Sequence, residues 1–448
     1  MPRLTHRIRQ LFTSTAGLLL VVTGWDALLV VLLSTLSATG PLSWLDVSTL
    51  LGLDEAGRVG RIIMLYHSLA IPFIAALVYL ILDTLSLEEK YPRLIRPTIT
   101  AGYMLASVGG LGFAYLGWGW GWIAHGVFLV GLSLVFYAGV VLCVGLWPWR
   151  GGFTAERLAF WLMALYTLIS ATIGGAAGSY FGNGFQAFLA EDVVRESHDL
   201  GQLAIIAHLH IMLTLIDVAL LLIAARTFDL PGRAQRWTMW LTIVGTTIVS
   251  FATWGVMVIE EIAHKIINVG AAFLLPAAII VAVYGFGQLV RSEPGAGRAS
   301  LGRRVKALLG DPVRFGMLFE SIFVNVVVTG PGVYVAINLE TYRQPAFLEV
   351  ERTILVGHWH VLATLSAVIA LLLVVDWLEV RGWLRQIVGW GVLAGSTLAF
   401  VFVQVYMFRQ PGIEMGWTVP FLDTGIGLLL VAVAIFLIER LINWIWKQ

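Results

Sequence analysis

Long apolar stretches, each close to the ~20 residues needed to span a bilayer as a helix, follow one another along this chain with only short charged or Gly/Pro-rich breaks between them. Cutting at those breaks gives about twelve: 14–36, 62–83, 98–117, 121–146, 156–179, 200–225, 237–258, 264–290, 315–337, 354–377, 384–407 and 418–438. The pattern predicts an all-α integral membrane protein of twelve transmembrane helices forming one domain over residues 1–448. If the N-terminus is cytoplasmic, the N-terminus, the C-terminus and the breaks on that side carry 21 of the 28 arginines and lysines, and the other side carries seven. This asymmetry satisfies the positive-inside rule and predicts both termini inside. Trp118, Trp120 and Trp122, between the third and fourth stretches, fit the aromatic belt of the outer interface. The apolar run of the first stretch exceeds a signal-peptide core, and no convincing small-residue cleavage site follows it, so it is expected to be a retained helix.

Composition agrees, with 59% apolar and 12% charged residues and a mean hydropathy of +0.87. The lipid bilayer is the first partner implied, and a multi-pass place in the prokaryotic cytoplasmic membrane is expected. A net charge of +1 gives no reason to expect a nucleic-acid partner. The single Cys143 excludes an internal disulfide framework and a Cys-x-x-Cys-His heme attachment, so any heme is held non-covalently.

Seven of the nine histidines fall within about three turns of the outer ends of the even-numbered stretches: His67, His125, His208, His210, His264, His358 and His360. His6 and His198 stand apart. One such histidine reads as a side chain satisfied by a backbone carbonyl. Seven in one layer, in a solvent where ionisable groups are expensive, read as metal or heme ligands. His67, His210 and His360 are separated by 143 and 150 residues, and both His67 and His360 are followed sixteen residues later by an acid, Asp83 and Asp376. That faint repeat implies three units of four helices in a pseudo-threefold bundle.

Positions i and i+2 of a helix point about 200° apart, so His358 and His360 face opposite sides of the tenth stretch and can ligate two different groups. A low-spin heme needs an axial ligand on each face, which His67 and His360 can supply. His358 would then hold a second heme from one side, leaving its other face open to a gas.

At this point the chain resembles the catalytic subunit of the heme-copper oxidase superfamily, the family of cytochrome c oxidase subunit I and the large subunit of nitric oxide reductase. The resemblance covers essentially all twelve stretches. It rests most on Gly357-His358-Trp359-His360 with His67, while Thr329-Gly330-Pro331-Gly332-Val333 and the approach from Asn338 through Thr353 look closer to the nitric oxide reductase branch. The resemblance implies His67 and His360 as low-spin heme ligands and His358 as proximal ligand of a high-spin heme. It also implies two non-covalent hemes of b type and reduction of nitric oxide or oxygen. Electrons would come from a partner subunit, cytochrome c or a cupredoxin, since the chain has no c-type heme or soluble copper domain of its own.

One departure is decisive for the second metal. The family's helix seven carries an adjacent histidine pair, whereas here the corresponding residues are Ser250-Phe251-Ala252-Thr253-Trp254-Gly255. The tyrosine found in many oxidases four residues after the helix-six histidine is replaced by Met212. Three readings are open. In the first, a gas reductase builds its second metal site from His208, His210 and His264 with Glu260 and Glu261, a set with carboxylates that favours non-heme iron over copper. In the second, a diheme electron-transfer or gas-sensing protein lacks that metal. In the third, the chain is a proton-coupled transporter whose histidines, Asp26, Asp217 and Asp376 form a relay. Within the first reading Asp217 and Asp26 mark a proton path. His125, His264, Arg343 and Arg352 are candidates to approach heme propionates, and 291–314, with Gly295-Ala296-Gly297, reads as a solvated linker.

Overall fold

The computed structural model describes residues 2–33, 62–150, 152–181, 200–292, 300–342 and 344–446, and helices are the only regular structure among them apart from single 3-10 and π turns. In chain order the long helices are α1 (Pro2–Leu11), α2 (Thr15–Leu33), α3 (Ile62–Thr84), α4 (Lys90–Gly145), α5 (Ala155–Phe181), α6 (Leu200–Thr227) and α7 (Gly232–Ser292). After the short α8 (Leu301–Leu309) come α9 (Pro312–Val324), a π turn at Asn325–Thr329, α10 (Gly330–Ile337) and the single turn α11 (Leu339–Tyr342). The chain ends with α12 (Leu348–Trp377), α13 (Gly382–Met407) and α14 (Val419–Trp446). Among the described residues nine helical segments are long and apolar enough to cross a membrane, and α1 with α2, bent by 72°, makes a tenth. The protein is an all-α, multi-pass membrane protein.

Two of these helices hold two apolar stretches each. A straight 61-residue helix would reach roughly 90 Å, about three bilayer cores. Instead α7 folds back on itself. Its backbone leaves helical geometry at Ile259 (φ −139°, ψ 57°), and a Cβ on Gly270 would stand 3.1 Å from the Gly245 carbonyl oxygen. In α4, a Cβ on Gly131 would stand 2.7 Å from the Gly102 carbonyl oxygen, and Phe113 meets His125 at 5.3 Å between ring centroids. The reversal therefore lies between Gly112 and Ala124. The sequence places these breaks at 118–120 and 259–263, where the paired glycines require them.

The third such pairing joins α13 to α14, where a Cβ on Gly425 would stand 2.6 Å from the Gly395 carbonyl oxygen. In all three places a glycine lets two antiparallel helices approach backbone to backbone, as small residues do in membranes. Gly102, Gly245 and Gly395 lie 143 and 150 residues apart, the offsets of His67, His210 and His360. Helices α3, α6 and α12 end at Thr84, Thr227 and Trp377, again 143 and 150 apart. After α6 and α12 the chain turns through Asp229 (φ 41°) and Glu379 (φ 48°), the only left-handed non-glycine residues among those described, also 150 apart.

The chain divides into two compact units: Met1–Leu215 with Ser250–Glu260 and Leu441–Gln448, and Ile216–Val249 with Glu261–Arg440. In the first, Ser107 donates to the Ser68 carbonyl at 3.1 Å, tying α3 to α4. Trp444 donates to the Arg7 carbonyl at 3.2 Å, and the Arg7 guanidinium donates to the Ile445 carbonyl, so the two ends of the chain lie side by side. In the second unit, Arg385 reaches Asp376 at 2.6 Å and Asp311 at 2.8 Å, and Arg314 reaches Asp376 at 3.2 Å. These residues sit at one end of α9, α12 and α13. Asp83 is matched in the same way by Arg96 at 2.5 Å. Both acids of the sequence repeat are therefore held by arginines.

Candidate functional site

In the first unit His67, on α3, lies with its ring nearly parallel to that of His208 on α6, 9° apart in plane and 6.4 Å between centroids. His67 also meets Phe128 edge-on at 5.9 Å, and Phe128 lies beside His125 at 6.4 Å. His208 is fixed from α5. Its Nδ1 lies 2.8 Å from the Ser170 carbonyl oxygen, and an oxygen without a proton can only accept, so Nδ1 carries the hydrogen and Nε2 the lone pair. This is the arrangement that metal-bound histidines use to set tautomer and ring direction. Gly174, one turn beyond Ser170, makes room for the ring, because a Cβ there would overlap His208 Nδ1.

In the second unit His358, on α12, also lies against a glycine. A Cβ on Gly332, in α10, would stand 3.0 Å from its Cε1. His208 and His358 are 150 residues apart, and each lies against a glycine of an earlier helix, Gly174 of α5 and Gly332 of α10. His360, about 200° around the same helix, is exposed. The surroundings therefore fit a ligand role for these imidazoles: a fixed tautomer at His208, and space kept open by glycine at both positions.

The candidates for a second metal are spread over both units, with His208, His210 and Glu260 in the first and Glu261 and His264 in the second. Glu261 accepts from Lys265 at 2.9 Å on an exposed surface. Among the described residues no group of three or more His, Cys, Asp and Glu is gathered as a metal cage. Thr253 is buried without a hydrogen-bond partner. Beside it, the Trp254 ring meets Tyr166 edge-on at 5.7 Å.

Two acids of the second unit, half-buried Asp217 and buried Glu320, each meet a serine. Asp217, on α6, lies 2.5 Å from Ser366 Oγ on α12. Glu320, on α9, lies 2.5 Å from Ser396 Oγ on α13, and its Oε2 is buried without a partner. Asp26, on α2, has one carboxyl oxygen buried without a hydrogen bond. Sequence reading finds Asp217 and Asp26 but passes over Glu320, although it is the only acid in the ninth stretch. It also passes over Arg409, which is buried and bonded to Glu349 at 2.8 Å. His198, Arg343 and Gly295-Ala296-Gly297 lie outside the described residues, as do the side chains of Arg352, Trp118 and Trp120. Comparison with family models, characterised proteins and solved structures finds no match to this chain.

Proposed function

We propose that this protein is the heme-binding membrane subunit of a respiratory gas reductase, working in the prokaryotic cytoplasmic membrane. His67, His358 and His360 are the axial ligands of two non-covalent hemes of b type. Such hemes, when bound, supply electron transfer and a site for a diatomic gas. The observation that carries the reading is the seating of His208 and His358, 150 residues apart on α6 and α12 and each set against a glycine, with His208 locked as an Nε2 donor. A histidine that served only packing would not need both a fixed tautomer and cleared space. Electrons come from a partner subunit, cytochrome c or a cupredoxin.

Twelve spans in a pseudo-threefold arrangement are the matching architecture. Three glycine-paired reversals at repeat offsets support it, as does the meeting of Arg7 with Trp444, because adjacent termini demand an even number of crossings. His208 with a carboxylate such as Glu260 is the proposed holder of non-heme iron, and nitric oxide is then the better substrate. The engagement of Glu261 by Lys265 favours a second reading, a diheme electron-transfer or sensing protein with no second metal. Elemental analysis with turnover of both gases, in wild type and His208→Ala, separates the two. Iron beyond the heme count, with nitric oxide turnover lost in the variant, supports the reductase. Iron at the heme count with neither gas turned over supports the second reading, and stoichiometric copper with fast oxygen consumption contradicts both.

A further inference from the structure

We propose that α8 is an interfacial helix, laid along the cytoplasmic surface of the bilayer with its apolar side in the acyl boundary and its cations on anionic phospholipid headgroups. The sequence reads 291–314 as a solvated linker, but nine of its residues, Leu301–Leu309, form a helix. At about 100° per residue, Leu301, Val305, Leu308 and Leu309 share an arc of roughly 100°, Arg304 and Lys306 flank it, and Arg303 lies opposite. No residue of α8 is buried, and the apolar side includes Leu301 at 78% and Val305 at 45% exposure.

Isolated helices shorter than about 12–15 residues are marginal in water, and Ser300, at the N-cap of α8, makes no side-chain capping bond. A helix this short that buries no side chain in the protein needs another apolar phase to hold it. Its position supplies one. Only Gly310 and Asp311 separate α8 from α9, and that junction is clamped to α13, where Gln386 donates to the Gly310 carbonyl at 3.1 Å and Arg385 to Asp311 at 2.8 Å. Two residues reach at most about 7 Å, so α8 cannot leave the level at which α9 enters the bilayer. Charge then selects the lipid. Flanking cations bury their stems beside the apolar arc and lift their heads to the phosphates, and the cytoplasmic leaflet is the one with a negative surface potential. A soluble partner would have to displace lipid to reach a face so close to the hydrocarbon.

The chain builds the same device ahead of its first span. Helix α1 leaves α2 at 72°, so it runs near the membrane plane where α2 crosses it. It carries Arg7 and Arg9, with Ile8 49% exposed and Phe12, just past its end, 40% exposed. The first and ninth stretches open the first and last units of the sequence repeat, so both amphipathic basic helices stand at the entry to a unit.

Lipid binding by α8 needs no heme, so its test stands apart from the functional reading. In a Cys143→Ser background, a bimane attached through Val305→Cys is read with one chain per nanodisc of mixed phosphatidylglycerol and phosphatidylcholine. Its emission should be shifted to the blue relative to the same label attached through Arg303→Cys. Quenching by brominated phosphatidylglycerol should exceed quenching by brominated phosphatidylcholine at equal mole fraction. Lys306→Gln should lower that preference by up to about fivefold, the factor for one cation near an anionic surface. Arg303→Gln, on the water side, should lower it far less, and both variants, altered at exposed positions, should melt like wild type. A Val305 label as water-exposed as the Arg303 label, or a preference unmoved by Lys306→Gln, would overturn the proposal. Equal losses in the two glutamine variants would do so too, since they would report general surface charge and no seated helix. Shielding of the label that appears only with two chains per disc would assign this face to a second copy and overturn it as well.

Discussion

A histidine in a membrane is informative because it is expensive there, and its partners tell whether it serves structure or chemistry. Those of His208 are a backbone carbonyl and a glycine, which orient the ring without consuming Nε2. Replacing His67 or His360 with Ala should abolish a low-spin heme signal and leave a carbon-monoxide-reactive heme. His358→Ala should do the reverse, because His358 faces away from His360 on the same helix. Optical spectra of the reduced and carbon-monoxide forms read both, and joint loss of the signals in either variant would show that the two sites are not separable. The histidine phases were legible in the sequence, since spacing survives translation into a helix. The Ser170 carbonyl was not, because every residue carries one and only the packing of α5 against α6 selects it. Glu320 was legible as a lone acid in an apolar stretch, but its serine lies 76 residues away on another helix.

At the scale of elements, the apolar stretches fall on helices wherever their residues are described, and nine helical segments, ten with the bent α1–α2 pair, are long and apolar enough to cross a membrane. What periodicity does not reveal is why neighbouring stretches return side by side. That depends on Gly102 with Gly131, Gly245 with Gly270 and Gly395 with Gly425, where side chains are excluded by an opposing backbone. Gly425→Leu should destabilise the α13–α14 pair by about 1–3 kcal/mol, the usual penalty for overpacking. Gly427→Leu, two positions along and facing open space, should leave stability nearly unchanged, as thermal melts in detergent will show. Arg385→Leu strips one mostly buried cation from two acids and should cost roughly 2–3 kcal/mol, while the partial exposure of Asp311 softens the loss.

For the whole molecule, the charge asymmetry of the loops and the contact of Arg7 with Trp444 agree on one topology. In a Cys143→Ser background, cysteine placed at Arg304 should react with an impermeant thiol reagent only from the cytoplasmic side. Cysteine at Ile413, in the exposed turn after α13, should react only from the opposite side. Labelling of both from one side would remove the proposed topology, and with it the common depth of the histidines. The most direct test of the central claim is the heme content of the purified protein, taken from extraction and from oxidised and reduced spectra. The account predicts two non-covalent b-type hemes per chain, one low-spin and one that binds carbon monoxide. A stable, folded protein purified without heme, and taking up none when reconstituted, would contradict it.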